Sequence, residues 1–405
     1  MVNSEKLLKV NEEPKQQIQI TQCLASQLSN RFTILSENEQ FKLIEVSSSD
    51  LRAVSLLADK FNCGRFINRS SVFKHAKNRV EKENLAQHFL AQVNRAKVLE
   101  KKTTYEIKHP EEVNRALLEI NSASIVHTLT HLVSYYNRSA YTKRGLEVAQ
   151  WLKKEVDNLA KANHRTDVST YFVATGQFYK QPSLVTVIGK DLKEPAIVLG
   201  AHMDTLDGEI IGPGDSDVGN GSSRFDEKMP GAGDDGSGSS SLMEITRVLM
   251  ASNMEFKRPI YLIWYAAEEL GLIGSQQVVR DFQKKSIPVK AVVQFDMTGF
   301  RNDASDPTMW IFQDYTDQSL SNYLEKLIET YIKVPVAYSH CGYGCSDHAS
   351  WMEKGIPAAF PCETSFEEHN PYIHTKKDTM DRLNVEHMTN FAKLGLSFAI
   401  EQGID

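Results

Sequence analysis

Ala196-Ile-Val-Leu-Gly-Ala-His202-Met-Asp204 is a short apolar run that leads straight into an imidazole and a carboxylate. A run of four to eight such residues reads as a buried strand. Polar groups at its end then stand at one edge of a sheet. The same arrangement recurs twice. Tyr261-Leu-Ile-Trp-Tyr-Ala-Ala267 leads into Glu268-Glu269, and Val292-Val-Gln-Phe295 leads into Asp296. In open α/β sheets, ligands bind beyond the carboxyl ends of strands, so three strands deliver His, Glu and Asp to one edge. The loop Gly231-Ala-Gly-Asp234-Asp235-Gly-Ser-Gly238 adds two carboxylates before a helix. Asn370-Pro-Tyr-Ile-His374-Thr adds a second histidine.

Outward from these stretches, strands are predicted at 184–188, 196–199, 260–265 and 289–295. Helices are predicted at 125–136, 145–159, 237–250 and 320–332. The alternation predicts an α/β fold with a mixed, mostly parallel central sheet flanked by helices. A small α+β domain over residues 1–104 precedes a catalytic domain over 105–405. In the first, Arg31–Leu35 and Phe41–Val46 alternate as two strands around the turn Ser36-Glu-Asn-Glu39. Ser48-Ser-Ser-Asp50 opens a helix with Leu51, Val54 and Leu57 on one face. Residues 73–99 read as a charged helix. Lys101-Lys-Thr-Thr104 reads as a linker, with a continuous surface helix as the alternative.

Composition narrows the function. Lys and Arg sum to 46 against 52 Asp and Glu, so there is no basic excess to hold nucleic acid. The longest apolar run, Ile260–Ala267, is too short to span a bilayer. Met1-Val-Asn-Ser-Glu-Lys6 lacks the apolar centre of a signal peptide. The chain is therefore expected to be cytoplasmic, or secreted with its signal absent from this sequence. Its 5 cysteines are too few for a disulfide scaffold.

Mixed imidazole and carboxylate ligands suit zinc better than calcium or magnesium. Two histidines and three carboxylates can hold two ions if one carboxylate bridges. Asp204, two residues after His202, can accept the other imidazole N–H and fix the ring. A glutamate beside a ligand can serve as general base. Each motif alone is weak: His-x-Asp is usually incidental, and paired glutamates usually form a solvated surface. Their coincidence at strand ends carries the metal reading.

The set resembles the bacterial leucyl aminopeptidases, co-catalytic di-zinc metallopeptidases with members secreted as zymogens. The resemblance covers about residues 115–402. It rests on Gly200-Ala-His-Met-Asp-Thr205, Gly231–Gly238, Tyr265-Ala-Ala-Glu-Glu-Leu-Gly-Leu-Ile-Gly-Ser275, Gln294-Phe-Asp-Met-Thr298, Cys341-Gly-Tyr-Gly-Cys-Ser-Asp-His-Ala-Ser-Trp351 and Ile373-His-Thr-Lys-Lys-Asp-Thr379. It implies two zinc ions bridged by Asp234, one also held by His202 and Asp296, the other by Glu269 and His374. It implies Glu268 as general base, Tyr343 as oxyanion donor, Asp204 and Asp235 as supporting carboxylates, and a cis peptide before Asp235. It further implies a Cys341–Cys345 disulfide, with two free thiols as the alternative. Substrates would be peptides with a free amino end, and an N-terminal prosegment would be removed. Met297, Phe360, Phe366 and Ile373 are candidate pocket residues, and a monomer is expected.

Departures from the family pattern are also visible. The segment between Asp204 and Asp234 is long and carries Asp215-Ser-Asp-Val-Gly-Asn-Gly221, read as a lid, a surface loop or a calcium loop. Cys362 replaces a bulky apolar residue and His369 an aromatic one. Glu367 and Glu368 add acid, which opens a lysine or arginine preference beside the leucine type. Cys63 could pair with Cys23, lie buried, or ligate zinc. The competing functions are a one-zinc glutaminyl cyclase on the same fold, a carboxypeptidase-like deacylase, and a binding module without catalysis.

Overall fold

The computed structural model describes residues 15–28, 32–48, 50–93, 103–208 and 227–404. Lys101 and Lys102 of the expected linker, residues 94–99 of the expected charged helix and the loop around Asp215 lie outside these. The chain forms two compact units, residues 1–92 and 93–405.

The first unit contains β1 (Lys15–Thr21), α1 (Gln22–Gln27), β2 (Thr33–Glu37), β3 (Phe41–Ser47), α2 (Leu51–Phe61), β4 (Ile67–Asn68) and α3 (Arg79–Val93). Its strands form an antiparallel sheet in the order β2-β3-β1-β4. The turn between β2 and β3 falls later than the sequence predicts, because Asn38 Oδ1 accepts from the amides of Gln40 and Phe41. α3 also starts later than Phe73. Asn78 Oδ1 accepts from the Glu81 amide while the Glu81 carboxylate accepts from the Lys77 amide, a reciprocal cap that sets the first turn. Ile18, Ile20, Leu24, Ile44, Val46, Leu51, Val54, Ala58 and Phe66 make a closed core. Cys63 is bonded to Cys23, which removes the reading of Cys63 as a zinc ligand.

The second unit contains α4 (Pro110–Leu117), α5 (Ser122–Ser134), α6 (Lys143–Ala162), β5 (Val168–Val173), β6 (Ser183–Ile188), β7 (Ala196–His202), α7 (Gly238–Ala251), β8 (Ile260–Tyr265) and α8 (Ile273–Lys284). It continues through β9 (Val289–Gln294), β10 (Met309–Phe312), α9 (Gln318–Leu327), β11 (Val336–Ser339), α10 (His348–Met352), β12 (Ala358–Cys362) and α11 (Val385–Gly403). The eight strands lie in the order β11-β10-β12-β9-β7-β8-β6-β5. The centre, β12-β9-β7-β8, is parallel; β6 and β5 are antiparallel additions at one side, and β10 turns antiparallel at the other.

Alternate residues of each central strand feed two cores, as period-2 side-chain alternation requires. Ile197, Leu199, Leu262, Trp264, Val293 and Phe295 pack under α5, α6, α7 and α11. Val198, Tyr261, Ile263, Tyr265 and Val292 pack against Phe282 of α8 and Trp351 of α10. The sheet is thus covered on both faces, and its strands read as continuous apolar runs for that reason.

Candidate metal centre and active site

The parallel register aligns the polar strand ends. His202 closes β7 and pairs with Tyr265, the last residue of β8, while Gly200 pairs with Gln294, the last of β9. Glu268-Glu269 and Asp296 therefore emerge at the edge where His202 sits. Ala267, Met297 and His374 hold left-handed φ angles of 54°, 62° and 59°, a conformation that non-glycine residues hold at functional sites when surroundings enforce it.

Two groups that could each hold a metal ion form around one carboxylate. His202 Nε2 lies 2.9 Å from Asp234 Oδ1 and 3.6 Å from Asp296 Oδ1. His374 Nε2 lies 2.9 Å from Asp234 Oδ2 and 3.3 Å from Glu269 Oε2. Each oxygen of Asp234 thus faces a different histidine. Ligands at about 2.0–2.1 Å around a tetrahedral zinc stand roughly 3.3 Å apart, and both groups match that spacing. Asp296 Oδ1 is buried without a hydrogen-bond donor among the described residues, as an atom meant for a cation would be. Burial opposes charge on His202, but Asp296, Asp204 and Asp234 outweigh it and drive the imidazole well above its usual range. The same His202 and His374 contacts hold Asp234 below the usual carboxylate range against its burial.

The supporting atoms tie these strand ends together. Asp204 Oδ1 faces His202 Nδ1 at 3.5 Å. It also accepts from the Glu268 amide, and Asp204 Oδ2 accepts from the Glu269 amide. One carboxylate therefore holds the loop of the paired glutamates and lies beside a histidine. Asp235, joined to Asp234 by a cis peptide bond, accepts from the amides of His202, Gly238 and Met297. Burial, then the charge of Asp296, drives its carboxyl well above the ordinary range. Gly238 has to be glycine, since a Cβ there would lie 2.3 Å from the Phe295 carbonyl oxygen. Burial drives Glu268 well above the usual carboxylate range, Asp296, Asp347 and Glu269 adding to it and His202 opposing.

A sequence profile of peptidase family M28 matches residues 184–399, just over half of the chain. Leucine aminopeptidase 1 of Coccidioides posadasii is 32% identical over 73% of this chain and 75% of its own. The crystal structure of Legionella pneumophila LapA aminopeptidase is 58% identical, covering 97% of this chain and 99% of that one, with a TM-score of 0.86. LapB from Legionella pneumophila is 39% identical over 97% of this chain and 100% of its own, with a TM-score of 0.84.

The chain belongs to peptidase family M28. It is a zinc-dependent aminopeptidase, a hydrolase acting on peptides.

Several residues that shape this M28 site carry no strong sequence signal. Arg138 is fully buried and donates to the carbonyls of Met203, Pro230 and Gly231. It joins the strand end bearing Asp204 to the loop bearing Asp234, yet in sequence it is a lone arginine after Tyr135-Tyr-Asn137. Asp378 accepts from the amides of Gly233 and Asp234. Burial pushes Asp378 up to about 6, with the amides of Asp234 and Gly233 pulling the other way. Its signal was its place four residues after His374. Ser346 donates to Asp296 Oδ2 at 2.6 Å, so the Cys341–Cys345 segment is tied to Asp296. That segment is closed by the Cys341–Cys345 disulfide.

Beside the metal groups lies an apolar cluster of Phe312, Cys341, Phe360 and Cys362, with Met297, Tyr343, Cys345 and Phe366 partly buried against it. Three of the four expected pocket residues meet there; Ile373 is not part of that cluster. Cys362 is a buried free thiol, kept protonated by burial. His369 Nδ1 bonds the Phe366 carbonyl at 2.8 Å, and its ring stacks on Phe366. Glu367 and Glu368 are exposed.

Proposed function

We propose that the protein removes the first residue from peptides with two zinc ions that share Asp234. The observation that carries this reading is the placement of the two Asp234 oxygens, each 2.9 Å from a different histidine. His202 and Asp296 would complete one site, Glu269 and His374 the other. When bound, such a pair would supply Lewis acidity to a water and to the scissile carbonyl. Glu268, outside both ligand groups, takes the water proton and passes it to the departing amine. Tyr343 donates its hydroxyl to the oxyanion. Asp204 and Asp235 hold the ligand-bearing backbone in place.

The first side chain would enter the cluster of Met297, Phe360 and Phe366, with Ile373 beside His374. The apolar lining supports a leucine-type preference. Glu367 and Glu368, being exposed, give the lysine or arginine alternative weaker support. Both ligand groups come from one chain, which supports a working monomer. Hydrolysis of leucinamide should stop when a chelator removes zinc and return when zinc is restored. Activity that survives complete zinc removal would sink the reading.

The first unit is proposed as a removable prosegment of a secreted zymogen. Its support is a closed core and its own disulfide, since a self-contained unit can leave without tearing a sheet. The two disulfides favour an oxidising compartment. A trace endoprotease should cut between Asn94 and Pro110, with aminopeptidase activity rising as the N-terminal fragment is lost. Full activity before the cut, or loss of activity with it, would make the unit an integral domain.

A further inference from the structure

Among the described residues of the second unit, the exposed Phe and Tyr side chains are Tyr136, Phe172 and Phe178, at 46%, 37% and 61% exposure. They lie on two neighbouring segments. The amides of Lys180 and Gln181 both donate to the Ala140 carbonyl, and the rings of Tyr141 and Tyr179 lie 5.1 Å apart. Residues 140–141 therefore meet 179–181, which makes the segments that carry Tyr136 and Phe178 neighbours. Solvent-facing aromatic rings gathered at one place mark a contact surface, whereas scattered ones do not.

The topology puts these segments on the edge that carries the metal ligands. Leu184 of β6 pairs with Phe172 on one side and with Trp264 of β8 on the other. The β5–β6 loop, which holds Phe178, thus emerges where Glu268 and Glu269 follow β8. Ser183 Oγ, at the end of that loop, accepts from the Ala266 amide at 3.1 Å. On the other segment, the Tyr136 carbonyl accepts from the Met229 amide. Arg138 reaches the Gly231 carbonyl, three residues before Asp234.

Strand order then gives a direction across the site. The apolar cluster stands on β10 and β12, and His202, Asp296 and Glu269 at the ends of β7, β9 and β8; Phe172 lies on β5, Phe178 in the β5–β6 loop, and Tyr136 on the α5–α6 segment bonded to that loop. A peptide whose first side chain fills the cluster and whose first peptide bond lies over the ligands must continue toward β6 and β5. Two strand spacings of about 4.8 Å separate β8 from β5, the reach of roughly three extended residues.

We propose that Tyr136, Phe172 and Phe178 form a binding surface for the peptide beyond the cleaved bond, favouring apolar side chains at the third and fourth positions. This rests on the aminopeptidase reading above. Rigid rings suit such a role because they offer large contact area and lose little freedom on binding.

The test compares Leu-Gly-Phe-Phe, Leu-Gly-Gly-Gly and leucinamide on the full chain, with Tyr136→Ser, Phe178→Ser, the double variant and Phe178→Tyr. Ratios taken within one preparation cancel differences in the active fraction. The native chain should favour Leu-Gly-Phe-Phe over Leu-Gly-Gly-Gly by about tenfold in kcat/KM, through KM, for two ring contacts. The double variant should lose that preference, and Phe178→Tyr should keep it. Leucinamide turnover should stay within about twofold in all of them, which also reports an intact fold. A native chain without the preference, or a double variant that retains it, overturns the proposal. Failure of the native chain on all three substrates overturns the aminopeptidase reading, and this one with it.

Discussion

Glu268→Gln should keep its zinc and lose about 10³- to 10⁴-fold in turnover of leucinamide. A positioned general base contributes typically about 10²- to 10⁴-fold. The upper end is expected because, in the proposed mechanism, the same carboxyl would serve both proton transfers. Glutamine preserves shape and the backbone bond from the residue 268 amide to Asp204, but it cannot take a proton at neutral pH. Glu268 belongs to neither ligand group, so metal content should not move. The loss should fall on kcat, with KM changing little, as expected for an interaction made only in the transition state. Turnover close to that of the native chain would remove Glu268 from the mechanism.

The strands that carry the site were legible because each is buried on both faces and ends abruptly in a charged or imidazole side chain. One such break is weak by itself, but register aligns three of them at one edge. His374 was legible only through its motif, since it lies on an irregular segment with no strand to place it. Arg138 was not legible at all. A buried guanidinium bonded to four carbonyls, three of them from distant segments, leaves no local pattern. α11 escapes periodicity for a related reason: 16 of its residues, from His387 to Gly403 with the exception of Lys393, are buried, so it shows no polar stripe to contrast with an apolar one. The start of α3 was misplaced because a reciprocal side-chain cap at Asn78 and Glu81 overrides the helix-forming residues before it.

Asp234→Asn should weaken both zinc sites together, whereas His374→Ala should weaken mainly one. The two oxygens of Asp234 face separate histidines, and replacing the carboxylate removes an anionic ligand from each group at once. His374 contributes to the group with Glu269, while His202 and Asp296 remain intact around the other oxygen. Even loss of a supporting residue costs about 10- to 100-fold in metal affinity, so loss of a direct ligand should exceed that. The decisive measurement is zinc content per chain at one buffered free-zinc concentration that saturates the native protein. The native chain should hold about two zinc ions, His374→Ala about one, and Asp234→Asn close to none, as a shared ligand requires. Equal loss in the two variants, or full zinc content in Asp234→Asn, would contradict a carboxylate shared between two ions.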